Sequence, residues 1–370
     1  MNHPTPIRVM IVDDSAAARS ALARLLSADP DIVIAATAAD PFEAAKLMRN
    51  GLPDVMLLDM ALPRMDGLTF LRRIMEQHPL PVVVCSSFTE AGSKNAIRAL
   101  EAGAVEVIGK PRLSSREDWD EAQVRLCDAV RAAVETNPAQ RTRPRTRPEG
   151  PGPKLTADVI LPALKPNPNA GPVKGHVVAI GASTGGTEAL VQVLSALPTG
   201  LPPIIVVQHM PEHFTSTFAQ RLDGLCQLTV QEAKSGDRPV PGTVFLAPGN
   251  HHMLLRRSGS GHVIEIVDGP CVARHRPSVD VLFRSVAQSA GNKAMGIVLT
   301  GMGDDGARGL LEMRQAGART LVQDEATSVV FGMPKEALAM GGADTARPLG
   351  RIPGEIRGWA AGVAPQLRTG

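Results

Sequence analysis

The chain has 370 residues, 44% of them hydrophobic and 21% charged, which is enough for two globular domains with separate cores. A net charge of +2 gives no broad attraction to nucleic acid or to an anionic membrane surface. The four cysteines Cys85, Cys127, Cys226 and Cys271 form no CxxC pair, which argues against a zinc site or a disulfide framework and for reduced thiols. No apolar run reaches the roughly 18 residues of a membrane span, and Ile7–Val12 runs at once into Asp13 and Asp14 rather than through a signal peptide. A cytoplasmic protein with no membrane insertion is expected.

In chain order, Ile7–Val12 is apolar and strand-like, and a helix pattern with Leu22, Leu25 and Leu26 on one face follows it. Ile32–Ala36 reads as a second strand, and Pro41–Met48 opens a helix with proline in its first turn. Val55–Leu58, Val82–Cys85 and Val105–Ile108 are further buried strands. Strands and helices in alternation predict an α/β fold, a doubly wound parallel sheet whose ligands gather at the carboxyl ends of the strands. Asp13 and Asp14 end the first strand, Asp59 the third, Ser86 and Ser87 the fourth, and Lys110 the fifth. A single aspartate in such a place often only caps the next helix. Three converging carboxylates repel one another unless a cation joins them, and hard oxygen ligands suit Mg²⁺. With a hydroxyl and an ammonium nearby, the pocket is equipped to accept a phosphoryl group.

Between Glu135 and Pro172 nine prolines fall in 38 residues, with Arg141, Arg143, Arg145 and Arg147 among them. This composition predicts an extended tether. A nucleic-acid arm is the alternative, but the segment lacks aromatic stacking residues. Its apolar patch Val159–Leu164 is a candidate for docking on one of the domains.

After the tether, strands are expected at Val177–Ile180, Ile204–Val207, Thr243–Ala247, Val263–Ile266, Gly296–Leu299 and Thr320–Gln323. They imply a second doubly wound parallel sheet, with a local antiparallel hairpin turning at Arg257-Ser-Gly-Ser-Gly261. Gly181-Ala-Ser-Thr-Gly185 satisfies G-x-S-x-G after a strand, so Ser183 sits on a sharp turn beside helix N–H groups that could hold an oxyanion. A nucleophile needs a base, and the base an orienting acid. His209 ends the next strand, and Asp304 and Asp305 follow a third, all on the same expected face. Each has a plainer reading as a core histidine or a helix cap. His251, His252 and His275 could line the cleft as substrate contacts; no metal partners stand at ligand spacing. The same turn could hold a nucleotide phosphate, although Ser183 replaces the middle glycine of G-x-G-x-x-G. A DNA-binding output is disfavoured because no recognition-helix module follows the tether.

The strand-end residues of the first half resemble a response-regulator receiver domain of flavodoxin-like fold over residues 7 to about 130. The resemblance implies Asp59 as the phosphorylated aspartate, Asp13 and Asp14 with Asp59 as Mg²⁺ ligands, and Ser86 and Lys110 as the switch pair. Val107 stands where many receivers carry an aromatic switch residue. In the second half, Gly181-Ala-Ser-Thr-Gly-Gly-Thr-Glu188, Gln208-His-Met-Pro211, Ala247-Pro-Gly249, Arg276-Pro-Ser-Val-Asp280, Thr300-Gly-Met-Gly303 and Phe331-Gly-Met-Pro334 resemble the Rossmann-like catalytic domain of chemotaxis protein-glutamate methylesterases. That likeness implies Ser183 as nucleophile, His209 as base, Asp305 as orienting acid, and Thr184 and Met302 beside the oxyanion. It implies hydrolysis of glutamyl methyl esters on chemoreceptors, deamidation of receptor glutamines, a histidine kinase as phosphodonor, and no cofactor in the esterase site. The expected organisation is a receiver at 1–134, a tether at 135–172 and a catalytic domain at 173–370.

Overall fold

A computed structural model describes residues 5–86, 90–111, 115–136, 154–163 and 175–367. The chain divides into two units, Met1–Pro153 and Lys154–Gly370. In the first, β1 (Ile7–Val12), β2 (Ile32–Ala38), β3 (Val55–Asp59), β4 (Val82–Ser86) and β5 (Glu106–Gly109) alternate with α1 (Ala16–Ser27), α2 (Pro41–Met48), α3 (Gly67–Gln77), α4 (Glu90–Glu101) and α5 (Arg116–Glu135). The sheet order is β2-β1-β3-β4-β5 with every neighbouring pair parallel, the flavodoxin-like arrangement. β3 and β4 are buried along their whole length, as a parallel sheet covered on both faces requires. Helices begin where short polar side chains can take up unpaired amides: the Ser15 hydroxyl accepts from Ala18 N, and Asp40 from Phe42 N and Glu43 N. α1 then turns Leu22, Leu25 and Leu26 into a core shared with Ile7, Val9 and Ile11 of β1 and Leu126 and Val130 of α5.

The second unit contains β6 (Val177–Ala182), β7 (Ile204–Gln208), β8 (Thr229–Glu232), β9 (Thr243–Leu246), β10 (His252–Ser258), β11 (Gly261–Val267), β12 (Ala294–Val298), β13 (Arg319–Gln323) and β14 (Ala346–Arg347). Its helices are α6 (Gly186–Ser195), α7 (Phe214–Leu225), α8 (Val279–Ser289), α9 (Ala307–Gln315), α10 (Met333–Ala339) and α11 (Ile352–Leu367). Seven strands form a parallel sheet in the order β14-β13-β12-β6-β7-β9-β8, while β10 and β11 pair antiparallel outside it. The strand expected at Val263–Ile266 therefore belongs to the hairpin and not to the main sheet. β8 and β14 leave little trace in the sequence, because β8 buries only one of its residues fully and β14 has only two residues.

The tether differs from expectation at its end. Residues 154–163 belong to the second unit: Ala157 and Leu161 pack with Leu254, Val272, Ala273 and Val281. The Arg284 guanidinium, 3% exposed, binds Asp158 Oδ1 at 2.7 Å and the Leu161 carbonyl at 2.9 Å. An apolar patch with a buried arginine to hold one of its carbonyls and its carboxylate gains more by docking than by remaining solvated. The arginine-rich part of the tether and Leu164 lie outside the described residues, as does Ser87.

Candidate phosphoacceptor and serine sites

In the first unit the strand order reverses between β1 and β3, and their carboxyl ends present Asp13 and Asp59. Both are buried, whereas Asp14 is exposed. One oxygen of each of the three lies within 4.8 Å of the others. Lys110 Nζ, arriving from the end of β5, stands 2.8 Å from Asp13 Oδ2 and 2.8 Å from Asp59 Oδ2. Burial by itself would lower this ammonium, but the two carboxylates hold it above its ordinary range. Asp13 Oδ2 has the Lys110 ammonium as its partner, and Asp13 Oδ1 accepts from the Ser15 amide at 2.9 Å. Three carboxylates converging with one ammonium among them are an all-oxygen donor set suited to a hard divalent cation, and the residues fit Mg²⁺. Ser86 is buried and donates its hydroxyl to the Gly92 carbonyl in α4 at 3.3 Å. Val107 is buried in β5.

In the second unit, β6, β7 and β12 are adjacent and parallel. Ser183, His209 and Asp305 lie beyond the carboxyl ends of these three strands, the place where the chain switches from one side of β6 to the other. Gly185 permits the serine turn: its φ is +76°, and a Cβ there would lie 2.5 Å from Val329 Cβ. Gly301 lets the β12 loop approach, since a Cβ there would meet Ser183 Cβ at 2.7 Å. The Ser183 amide donates to the Thr300 carbonyl at 3.0 Å. Gln208 Nε2 donates to the Ser183 carbonyl at 2.9 Å and the His209 carbonyl at 3.1 Å, tying the two strand ends together. Thr184 is buried beside the serine, and Met302 lies in the loop directly after Gly301.

His209 Nε2 is 2.8 Å from Asp305 Oδ2. Its Nδ1 is buried without a hydrogen-bond partner, so Nδ1 is the nitrogen left for a proton from elsewhere. The ring of His275 stacks on His209 with centroids 3.7 Å apart and planes within 6°. His209, His275 and Asp305 lie close enough together to resemble a set of metal ligands. Imidazole lone pairs lie in the ring plane, however, so two stacked rings cannot aim at one ion without turning. His275 is presented by the turn Val272–His275, whose central residues Ala273 and Arg274 have φ of 48° and 71°. The Ala273 amide in turn donates to the Leu155 carbonyl at 2.9 Å, and Lys154 pairs with Asp304.

Asp305 is fully buried and accepts from four donors: His209, Ser278 Oγ at 2.7 Å, Val279 N at 2.7 Å and Asp280 N at 3.0 Å. It thus caps α8, not the helix that follows it. The start of α9 is held by Asp280, whose Oδ1 accepts from Gly306 N at 3.0 Å and Gly309 N at 2.7 Å. Each acid sits at the head of the other's helix, where amides and the helix dipole favour negative charge. Burial opposes ionisation of both. For Asp305 the His209 hydrogen bond and the His209 and His275 charges outweigh that cost, and its pKa falls. For Asp280 burial and then the Asp305 charge win, and its pKa rises.

Ser183, His209 and Asp305 are legible in the sequence, but the groups that support them are not. Ser278 and Asp280 are visible there only as members of a motif, and His275 only as a cleft contact. His252 is fully buried and lines no cleft; it bonds the Pro270 carbonyl at 3.0 Å and accepts from the Ser278 amide at 3.2 Å. His251 pairs with Asp268 at 2.6 Å.

A three-carboxylate pocket with a lysine, followed by a serine, histidine and aspartate on a second parallel sheet, defines a phosphoacceptor unit joined to a serine-hydrolase-like unit. The comparisons with known proteins agree. The CheB methylesterase family matches residues 178–356, and the response regulator receiver domain family matches residues 9–117. A protein-glutamate methylesterase/protein-glutamine glutaminase of Anaeromyxobacter dehalogenans is 56% identical over 352 residues, covering 95% of this chain and 96% of the relative. Another from Geobacter metallireducens is 56% identical over 351 residues, covering 95% and 98%. The crystal structure of the Thermotoga maritima CheB methylesterase catalytic domain is 38% identical, covers 50% of this chain and 100% of that one, and superposes with a TM-score of 0.50. The chain belongs to the receiver-linked CheB methylesterase family. Among the described residues no helix is long and apolar enough to cross a membrane.

Proposed function

We propose that the second unit hydrolyses glutamyl γ-methyl esters on chemoreceptors, releasing methanol, and deamidates receptor glutamines by the same acyl chemistry. The His209–Asp305 pair at 2.8 Å, one strand from Ser183, carries this reading. Ser183 Oγ attacks the ester carbonyl while His209 takes its proton at Nδ1. Asp305, holding Nε2, stabilises the imidazolium that forms. Amides around Thr184 and Met302 receive the oxyanion. His209 then returns the proton to the departing methoxide, giving methanol and a glutamyl-enzyme. Water, deprotonated by His209, cleaves that ester and regenerates Ser183. The site takes no cofactor in this reading.

The first unit is a receiver, and a receiver implies control by phosphorylation. In our reading a histidine kinase supplies the phosphoryl group to Asp59, and Asp13, Asp14 and Asp59 hold Mg²⁺. When bound, the metal would neutralise charge on the transferred oxygens. Lys110 spans Asp13 and Asp59, and Ser86 is the hydroxyl that follows the phosphoryl group. The protein works in the cytoplasm on receptors without entering the membrane itself. Phosphorylation of Asp59 then shifts the population of the chain toward a more active form.

The first test is Ser183→Ala: ester hydrolysis disappears while Asp59 phosphorylation persists, and retained hydrolysis removes Ser183 from its role. This control is tested by comparing the full chain, with and without phosphodonor and Mg²⁺, against a fragment starting at Lys154. That start keeps the packed segment 154–163 that a fragment from 173 would lose. Equal rates in all three samples reject control by phosphorylation.

A further inference from the structure

The chain of hydrogen bonds through the acid does not end at Asp305. Ser278 Oγ donates to Asp305 Oδ1 at 2.7 Å while accepting from Val281 N at 3.4 Å as the cap of α8. Its amide donates to His252 Nδ1 at 3.2 Å. An imidazole nitrogen that accepts an N–H carries no proton, so His252 is neutral with its proton on Nε2, where it meets the Pro270 carbonyl at 3.0 Å. Ser278 and His252 are 0% exposed, so water cannot substitute for either partner. The residue is therefore fixed at both ends. Its backbone is anchored to a histidine locked in one tautomer, and its hydroxyl has one orientation that satisfies both Val281 N and Asp305.

We propose that Ser278, anchored by His252, is a positioning residue for the hydrolytic reaction, fixing the rotamer of Asp305 and thereby the ring of His209. The proposal rests on the reading of Ser183, His209 and Asp305 given above. The physical reason is the division of labour between the two carboxylate oxygens. Oδ2 serves His209 and Val279 N, and Oδ1 serves Ser278 and Asp280 N. Without the hydroxyl, Oδ1 keeps one amide, and the negative charge moves toward Oδ2 and His209. His209 then holds its proton more tightly and releases it less readily to the leaving group, and the carboxylate gains freedom to rotate. The charged or titratable groups facing Asp305 are His209 from β7, His275 from the 272–275 turn, Asp280 from α8, Asp304 beside it, and His252 from β10.

The test measures the rate at which a fluorophosphonate labels Ser183 in the full-length chain, with phosphodonor and Mg²⁺ present, across the neutral pH range, with mass spectrometry locating the label. Ser278→Ala should lower the plateau rate about tenfold, within the range that lost orienting partners cost, because the freed carboxylate no longer holds the His209 ring in line. It should also move the acid limb of the profile to higher pH, because His209 holds its proton more tightly. Ser278→Thr, which keeps the hydroxyl, should restore both. Ser278→Cys, nearly isosteric but a weak donor, should behave like the alanine variant and replaces it if the alanine variant does not fold. Labelling of Ser183 in Ala and Cys variants with plateau and acid limb both unchanged would overturn the proposal and reduce Ser278 to a helix cap. Absence of label on Ser183 in the unaltered chain would overturn the triad reading itself, and the proposal with it.

Discussion

The two units place aspartates at the same kind of position, the carboxyl ends of parallel strands at a switch point, yet give them opposite surroundings. In the first unit Asp13 and Asp59 share one lysine, and the Ser15 amide adds one further donor to Asp13. In the second, Asp305 has four donors and no exposure. A carboxylate with capacity to spare takes up a cation or a phosphoryl group; one whose lone pairs are filled can only orient its neighbours. Strand-end position therefore identifies a site, and the donor count around the acid decides its chemistry.

The strongest way to break this contrast is Asp305→Asn. An amide cannot accept from every donor around it and reverses the preferred tautomer of His209, so kcat should fall by on the order of 10⁴ with KM little changed. A loss below about tenfold would mean that Asp305 is only a helix cap. Asp14→Ala should weaken Mg²⁺ binding to the first unit by about tenfold, in line with the loss of a ligand or its support. Titration of receiver fluorescence from Trp119 measures it, with phosphonate labelling of Ser183 in the absence of phosphodonor as the control that should not move.

The pH dependence of stability separates the units further. Burial lowers the pKa of His176, His252 and His262, all in the second unit, below the ordinary 6.5. Their contribution is complete above that value and is lost as pH falls below it toward the folded values. Asp280 works in the opposite sense, because its raised pKa makes the fold less stable as pH climbs above 3.8. Asp280→Asn should therefore steepen the loss of stability between about pH 7.5 and about pH 5. Urea unfolding followed through Trp359, with Trp119 replaced by Phe, reports it. In the first unit Lys110 is raised above 10.5, so its contribution is present below that pH and disappears as pH rises through the folded value. A second unit that resists mild acid better than the first would contradict this pairing. The smallest effect is Ser115→Ala at the head of α5, where a capping box with Asp118 is lost. It should cost about 1 kcal/mol of first-unit stability, read as a shift in urea midpoint without change in labelling.

The parallel sheets and the chemistry-bearing strand ends follow from the amino-acid order alone. Continuous apolar runs such as Val55–Leu58 and Ile204–Val207 can be buried on both faces only in a covered parallel sheet, and a polar residue just after such a run must emerge at its carboxyl end. That is why Asp59, Lys110, Ser183, His209 and Asp305 are readable without any coordinates. Partners distant in sequence are not. The stacking of His275 on His209 joins residues 66 positions apart across a left-handed turn, and no periodicity records it. The exchange by which Asp305 heads α8 and Asp280 heads α9 likewise looks, in sequence, like two ordinary caps of their own helices. Hairpin and main-sheet strands share one pattern, so Val263–Ile266 could be assigned to either. Residues 154–163 read as tether with an apolar patch at Val159–Leu164 fit to dock, but nothing in the sequence names Val272 and Val281 as what that patch meets. Local composition fixes which segments must be buried; the folded chain alone decides which buried groups face each other, because hydrogen bonds and stacking depend on distances that sequence separation does not encode.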